Sequence, residues 1–202
     1  HQNRVTPFST LIATPARGTL MGNRGCLHND RREIVREFSG KRWIACRLDF
    51  RGRHRQVMTP GRYTELFFLD EVTALAAGHR PCAECRREDY NRFRAAWVAT
   101  GLPSRGGLPK ADEMDARLHA ERLDGRREKA TFPARLADLP DGVFVLDEGG
   151  AARLLWDDRL WLWTPGGYTA PIPPERADVT LLTPPAIVAV LAAGYGPACL
   201  LE

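Results

Sequence analysis

Cys82 and Cys85 stand at C-x-x-C spacing in the stretch Gly78-His79-Arg80-Pro81-Cys82-Ala83-Glu84-Cys85-Arg86-Arg87. Thiols so spaced meet at one point from a single turn, and they either hold a soft metal or cycle as a redox dithiol. A redox pair belongs beside a strand–helix–strand unit, and the flanking pattern offers none. The expected ion is therefore zinc, and a structural zinc site takes four ligands. Cys26, His28, Cys46 and His54 remain as candidates for the other two. The expected set is His28, Cys46, Cys82 and Cys85, with Cys26 or His54 as substitutes. Cys46 is preferred because a strand would hold its thiolate rigidly, although a lone thiol there also serves as a small hydrophobe. Cys199 lies in an apolar context and is expected to be packing only. An odd number of cysteines, five, without an apolar signal segment argues against a disulfide framework.

Arginines surround the thiols. Residues 1–105 carry 19 Lys+Arg against 10 Asp+Glu, whereas residues 106–202 carry 10 against 15. A basic first half implies an anionic partner. The expected nucleic-acid contacts are Arg24, Arg80, Arg86 and Arg87, with DNA or RNA as the partner, because arginine gives bidentate phosphate contacts. Asp115 and His119 are four apart on a predicted helix and so share one face. A carboxylate orienting a histidine is the arrangement of a general base. A nuclease or lesion-processing enzyme using Asp115 and His119 is thus one alternative, and a simple helix pair is the plainer reading. A protein-interaction module with structural zinc is another.

The elements that must position these residues follow from pattern. Trp43–Phe50 alternates, with Ile44, Cys46, Leu48 and Phe50 on one face, which predicts a strand. Arg55–Met58 is a candidate return strand, and Leu66–Leu69 is a short apolar strand. Asp70 is the expected N-cap of a helix through Ala77, ended by Gly78. A second helix is expected from about Cys85 to Thr100, with Tyr90, Phe93, Ala96 and Trp97 as its apolar stripe. A third is expected over Ala111–Leu123. Val143–Leu146, Arg153–Trp156 and Leu160–Thr164 read as a meander, with Val179–Leu182 as a further strand. Pro184 or Pro185 opens a last helix that Gly194 closes. Trp161 and Trp163 share a strand face, where core packing or base stacking is possible. The expected fold is α+β: a zinc-stabilised basic subdomain over 1–105, then an acidic one over 106–202 with a β-meander or small barrel and a terminal helix. No apolar run spans a membrane, and a cytoplasmic location is expected.

The segment from Asp70 to Arg86, with Ala-Gly-His-Arg-Pro-Cys-Ala-Glu-Cys at its core, resembles the second half of the zinc-binding domain of the Ada DNA-repair protein. The resemblance implies a zinc site close to DNA and a setting in DNA repair. In that family the earlier cysteine pair falls in a window where this chain has His54 and no cysteine. The resemblance therefore carries over no methyl-accepting cysteine. The whole chain also resembles an uncharacterised bacterial family with Gly-Asn-Arg-Gly and Gly-Tyr-Thr segments.

Overall fold

The computed structural model describes residues 1–52, 56–175 and 177–201. It is a mixed α and β structure built on two sheets. The first sheet collects β1 (Gln2–Val5), β2 (Leu11–Ala13), β3 (Leu20–Asn23), β4 (Ile44–Cys46), β5 (Leu66–Phe68) and β6 (Arg80–Pro81), in the order β2-β1-β5-β3-β4-β6. The second is an antiparallel sheet of β7 (Phe132–Arg135), β8 (Phe144–Leu146), β9 (Ala152–Trp156), β10 (Arg159–Thr164), β11 (Gly167–Ile172) and β12 (Asp178–Leu181). Its order, β11-β10-β9-β8-β12-β7, is an open meander with one insertion, and among the described residues its end strands do not pair to close a barrel.

Period-two alternation gives the first sheet two different faces. Val5, Ala45, Leu66 and Phe68 turn toward Ala74 and Ala77 of helix α1 (Glu71–Ala76 with its C-cap) and form an apolar layer. Met21, Asn23, Ile44, Cys46, Glu65 and Phe67 turn the other way and line an open cavity. Gly22 lies between β4 and β5, where a Cβ would meet Ile44 O at 2.2 Å and the Phe68 ring at 2.7 Å. No larger residue fits without parting the strands.

Helix α1 begins where expected, with Asp70 Oδ1 accepting from Thr73 N at 3.0 Å. The carboxylate's second oxygen accepts from Tyr168 Oη at 2.8 Å and Leu200 N at 3.2 Å. Glu71 accepts from Tyr195 Oη at 2.6 Å and Ala198 N at 3.1 Å. These buried acids tie the first turn of α1 to the second sheet and to residues 195–200. Gly78 follows with φ +85, and its missing Cβ leaves room for the Arg122 side chain 2.7 Å from the ideal Cβ site.

Helix α2 (Arg87–Ala99) buries Tyr90, Phe93, Ala96 and Trp97, the stripe read from its spacing. It packs with α3 (Ala111–Arg122), α4 (Pro185–Ala192), Val143 just before β8, and Val145, Leu155 and Leu181 of the second sheet in one core cluster. That cluster draws on residues from both sides of position 105. The opposite face of the second sheet packs on Val72 and Ala76, with Trp156, Trp161 and Trp163 half-buried against it. Trp161 Nε1 donates to Trp156 O and Trp163 Nε1 to Thr73 Oγ1, so these indoles serve packing. No helix among the described residues is long and apolar enough to cross a membrane.

Several expectations are corrected. The strand expected over Trp43–Phe50 stops at Cys46, and Leu48 is exposed. Gln56–Met58 forms a turn rather than a strand, while Arg55 lies outside the described residues. Pro7 and Pro15 predict only an extended segment over residues 1–20 and the glycines a loop over Met21–His28, yet residues 1–23 supply three strands of the first sheet.

Candidate metal centre

The strand pairing brings the thiols together. β4 and β6 run parallel with Ala45 opposite Pro81, and Cys82 N donates to Ala45 O at 2.9 Å. Cys46 at the end of β4 therefore lies beside Cys82 at the end of β6. The chain then turns through Ala83 and Glu84, with Arg86 N donating to Cys82 O at 3.2 Å, and enters α2. This turn returns Cys85 to the same point.

The sulfur atoms of Cys46, Cys82 and Cys85 lie within 4.8 Å of one another. Sulfurs around a tetrahedral zinc ion stand about 3.8 Å apart, so modest contraction would seat a metal among them. Backbone amides already point at the cluster: Glu84 N donates to Cys82 Sγ and Arg47 N to Cys85 Sγ, each at 3.4 Å. Such bonds favour thiolate over thiol. Cys46 and then Cys85 hydrogen-bond the Cys82 sulfur and hold it well below the usual thiol range. Cys46 moves up in exchange, through its bonds to Cys82 and Cys85 and its burial. Three sulfurs this close together are a donor set that a divalent cation suits, metal–sulfur bonds replacing the thiol protons. These three cysteines can hold a metal ion.

Of the expected ligands, Cys46, Cys82 and Cys85 meet, and His28 is elsewhere. Its Nδ1 is 2.6 Å from Thr64 Oγ1 and its Nε2 is 3.2 Å from Thr59 O, so both ring nitrogens are engaged in bracing a loop. Cys26 is also outside the cluster, its thiol directed at His28 O at 3.7 Å. Cys199 packs with Val72, Phe144 and Leu182. His54 lies outside the described residues. Among those described, no further Cys, His, Asp or Glu completes the trio.

Three of the four arginines expected to contact nucleic acid are buried, and the correction is large. Arg80 is 1% exposed and lies fork to fork on Asp115, Nε to Oδ1 at 2.9 Å and Nη2 to Oδ2 at 2.8 Å. Arg86 bridges Glu71 at 2.7 Å and Asp89 at 2.8 Å. Arg24 is 1% exposed and stacks over Trp43, with Nη2 donating to Ser9 O at 2.8 Å. Only Arg87 is exposed. Buried guanidinium groups need carboxylates, carbonyls or rings; Arg80 and Arg86 have found carboxylates, whereas Arg24 has a carbonyl and a ring only.

The Asp115–His119 dyad does not form. Both Asp115 oxygens serve Arg80. His119 packs edge-on to Phe38 at 5.2 Å, and its buried Nδ1 has no hydrogen-bond partner among the described residues. Helical spacing put both residues on α3, but their side chains answer to different neighbours.

The thiols sit in the wall of a cavity of about 680 Å³, a feature that sequence reading missed because its lining comes from six separate segments. Its other walls include the rings of Phe50, Tyr63 and Phe67 and the side chains of Arg42 and Arg47. Arg42 and Arg47 are exposed. Comparison of the chain with models of known families, with curated proteins and with solved structures found no match.

Proposed function

We propose that this chain is a zinc protein that binds single-stranded nucleic acid, laying an unpaired base in the cavity beside the metal. The observation that carries the reading is the company the thiols keep. Aromatic rings and exposed arginines line the same cavity, and stacking faces beside cations are the chemistry that takes bases with their phosphates. A volume of about 680 Å³ suits a ligand of nucleotide size. The resemblance of residues 70–86 to the Ada zinc domain points the same way and makes DNA repair the setting.

In this reading Cys46, Cys82 and Cys85 would hold zinc, which would tie the ends of β4 and β6 to the start of α2 and fix the cavity wall; three thiolates leave that site no net positive charge, so the attraction for phosphate comes from the arginines. Arg42 and Arg47 meet phosphates at the rim, in place of the buried Arg24, Arg80 and Arg86. Phe50, Tyr63 and Phe67 present apolar surface to the base.

Fluorescence anisotropy with a labelled single-stranded oligonucleotide tests this. Raising salt from about 50 to about 200 mM is expected to weaken binding at least tenfold. The R42A/R47A variant is expected to bind at least tenfold more weakly, with its salt slope reduced by about two. A flat salt response, or a double variant that binds like the parent, contradicts the proposal. No affinity even at low salt favours a protein-interaction module with structural zinc.

A further inference from the structure

A second cavity, of about 630 Å³, has a different chemistry. Arg24 and Lys129 line it, together with Trp43, Thr131 and Gln2. Arg24 and Arg122 both lie against the Trp43 ring, at 4.5 and 4.6 Å from its centroid. Neither they nor Lys129 makes an ion pair with a carboxylate among the described residues. Their partners are neutral carbonyls: Ser9 O for Arg24, Gly78 O and Lys41 O for Arg122, and Ala76 O for Lys129 at 2.6 Å. Arg24 Nε and Arg122 Nη2 are buried and have no hydrogen-bond partner among the described residues. His79, fully buried beside Trp43 and Phe68, adds no counter-charge, and burial followed by Arg24 and Arg122 keeps it neutral. Glu37 and Glu128 also line the cavity but are exposed, as is Arg127.

A concentration of buried cations served only by carbonyls and a ring is costly unless an anion joins it. Burial and then Arg122 and Arg24 push Lys129 down to about 7, and burial pushes Arg122 down to about 9 with Asp115 opposing it. We propose that this second cavity binds a phosphate-bearing small molecule, with its phosphate held by Arg24 and Lys129 and the remainder against Thr131 and Gln2. The class follows from charge. A phosphate monoester carries about −1.5 to −2 at neutral pH and matches two cations lining one cavity, whereas a monocarboxylate leaves one unbalanced. The planar Arg24 fork, with its unused Nε, suits an oxyanion.

Titration calorimetry on the zinc-loaded full chain, with inorganic phosphate as the probe, decides the matter. Saturable binding is expected, with a rise in Tm beyond that given by chloride at equal ionic strength. K129M keeps the length of the Lys129 stem and removes one of several like charges, so this variant is expected to keep the fold and its zinc. It should weaken phosphate binding roughly tenfold or more. R24K, if it folds, should weaken binding too by removing the fork. Phosphate acting no better than chloride overturns the site. Unchanged affinity in K129M places phosphate elsewhere, on the metal or at Arg42 and Arg47, and overturns it equally. Acetate binding as tightly as phosphate overturns the phosphate class.

Discussion

Replacing Cys82 with alanine is expected to abolish stoichiometric metal binding and to lower Tm by about 10 °C or more. The thiol joins β6 to the turn that enters α2, and its sulfur is the one that both Cys46 and Cys85 approach. Two remaining cysteines cannot hold zinc against water as three can. A metal bound a thousandfold above its dissociation constant contributes about 4 kcal/mol, and at about 2–4 °C per kcal/mol in a chain this size the loss is large. Part of any drop could come from an unfilled methylene-sized space, so calorimetry should be run with and without chelator. The parent should fall to the variant's Tm on chelation, and the variant should not respond. A variant that retains the parent's metal and its chelator response contradicts the trio.

Asp115→Asn is expected to destabilise by about 3–5 kcal/mol, because it leaves the Arg80 guanidinium buried without its counter-charge. Arg80 and Asp115 are 1% and 5% exposed and joined by two short bonds, so neither has water to fall back on. The double variant R80M/D115L should recover much of the loss, since removing a buried pair together costs far less than orphaning one member. Denaturant unfolding of the two singles and the double measures the coupling. Loss of an activity in D115N with stability unchanged would instead favour a general base, which the geometry argues against. The pair also steers the metal centre: Arg80 lies in β6, two residues before Cys82, and its anchor on α3 holds that strand against β4.

How much of this was legible in the sequence depends on the range of the interaction. The thiol pair and the capped helix before it are local, and both were read correctly from spacing and from Asp70. Cys46 was also legible, since alternation over Trp43–Cys46 placed it on one strand face, although the strand ended sooner than the pattern suggested. His28 misled because a loop residue's destination is set by partners such as Thr64 and Thr59, which lie far along the chain. The arginines misled for a similar reason. Arginine in a basic stretch reads as surface, but Arg80 finds Asp115, Arg86 finds Glu71, and Arg24 finds Trp43 only after folding. Short strands were hidden as well. β6 has two residues, and β7 and β11 contain Pro133 and Pro171, which weaken any strand pattern. Neither cavity has a sequence signature, because each is assembled from the outward faces of elements that the core positions for other reasons.

The central claim is a three-cysteine metal site in the wall of a cavity, and zinc-edge X-ray absorption on the purified full chain tests it most directly. The expected spectrum shows one zinc per chain with three sulfurs at about 2.3 Å and one lighter nitrogen or oxygen neighbour at about 2.0 Å. Four sulfurs, fewer than three, or a chain that binds no zinc would contradict it.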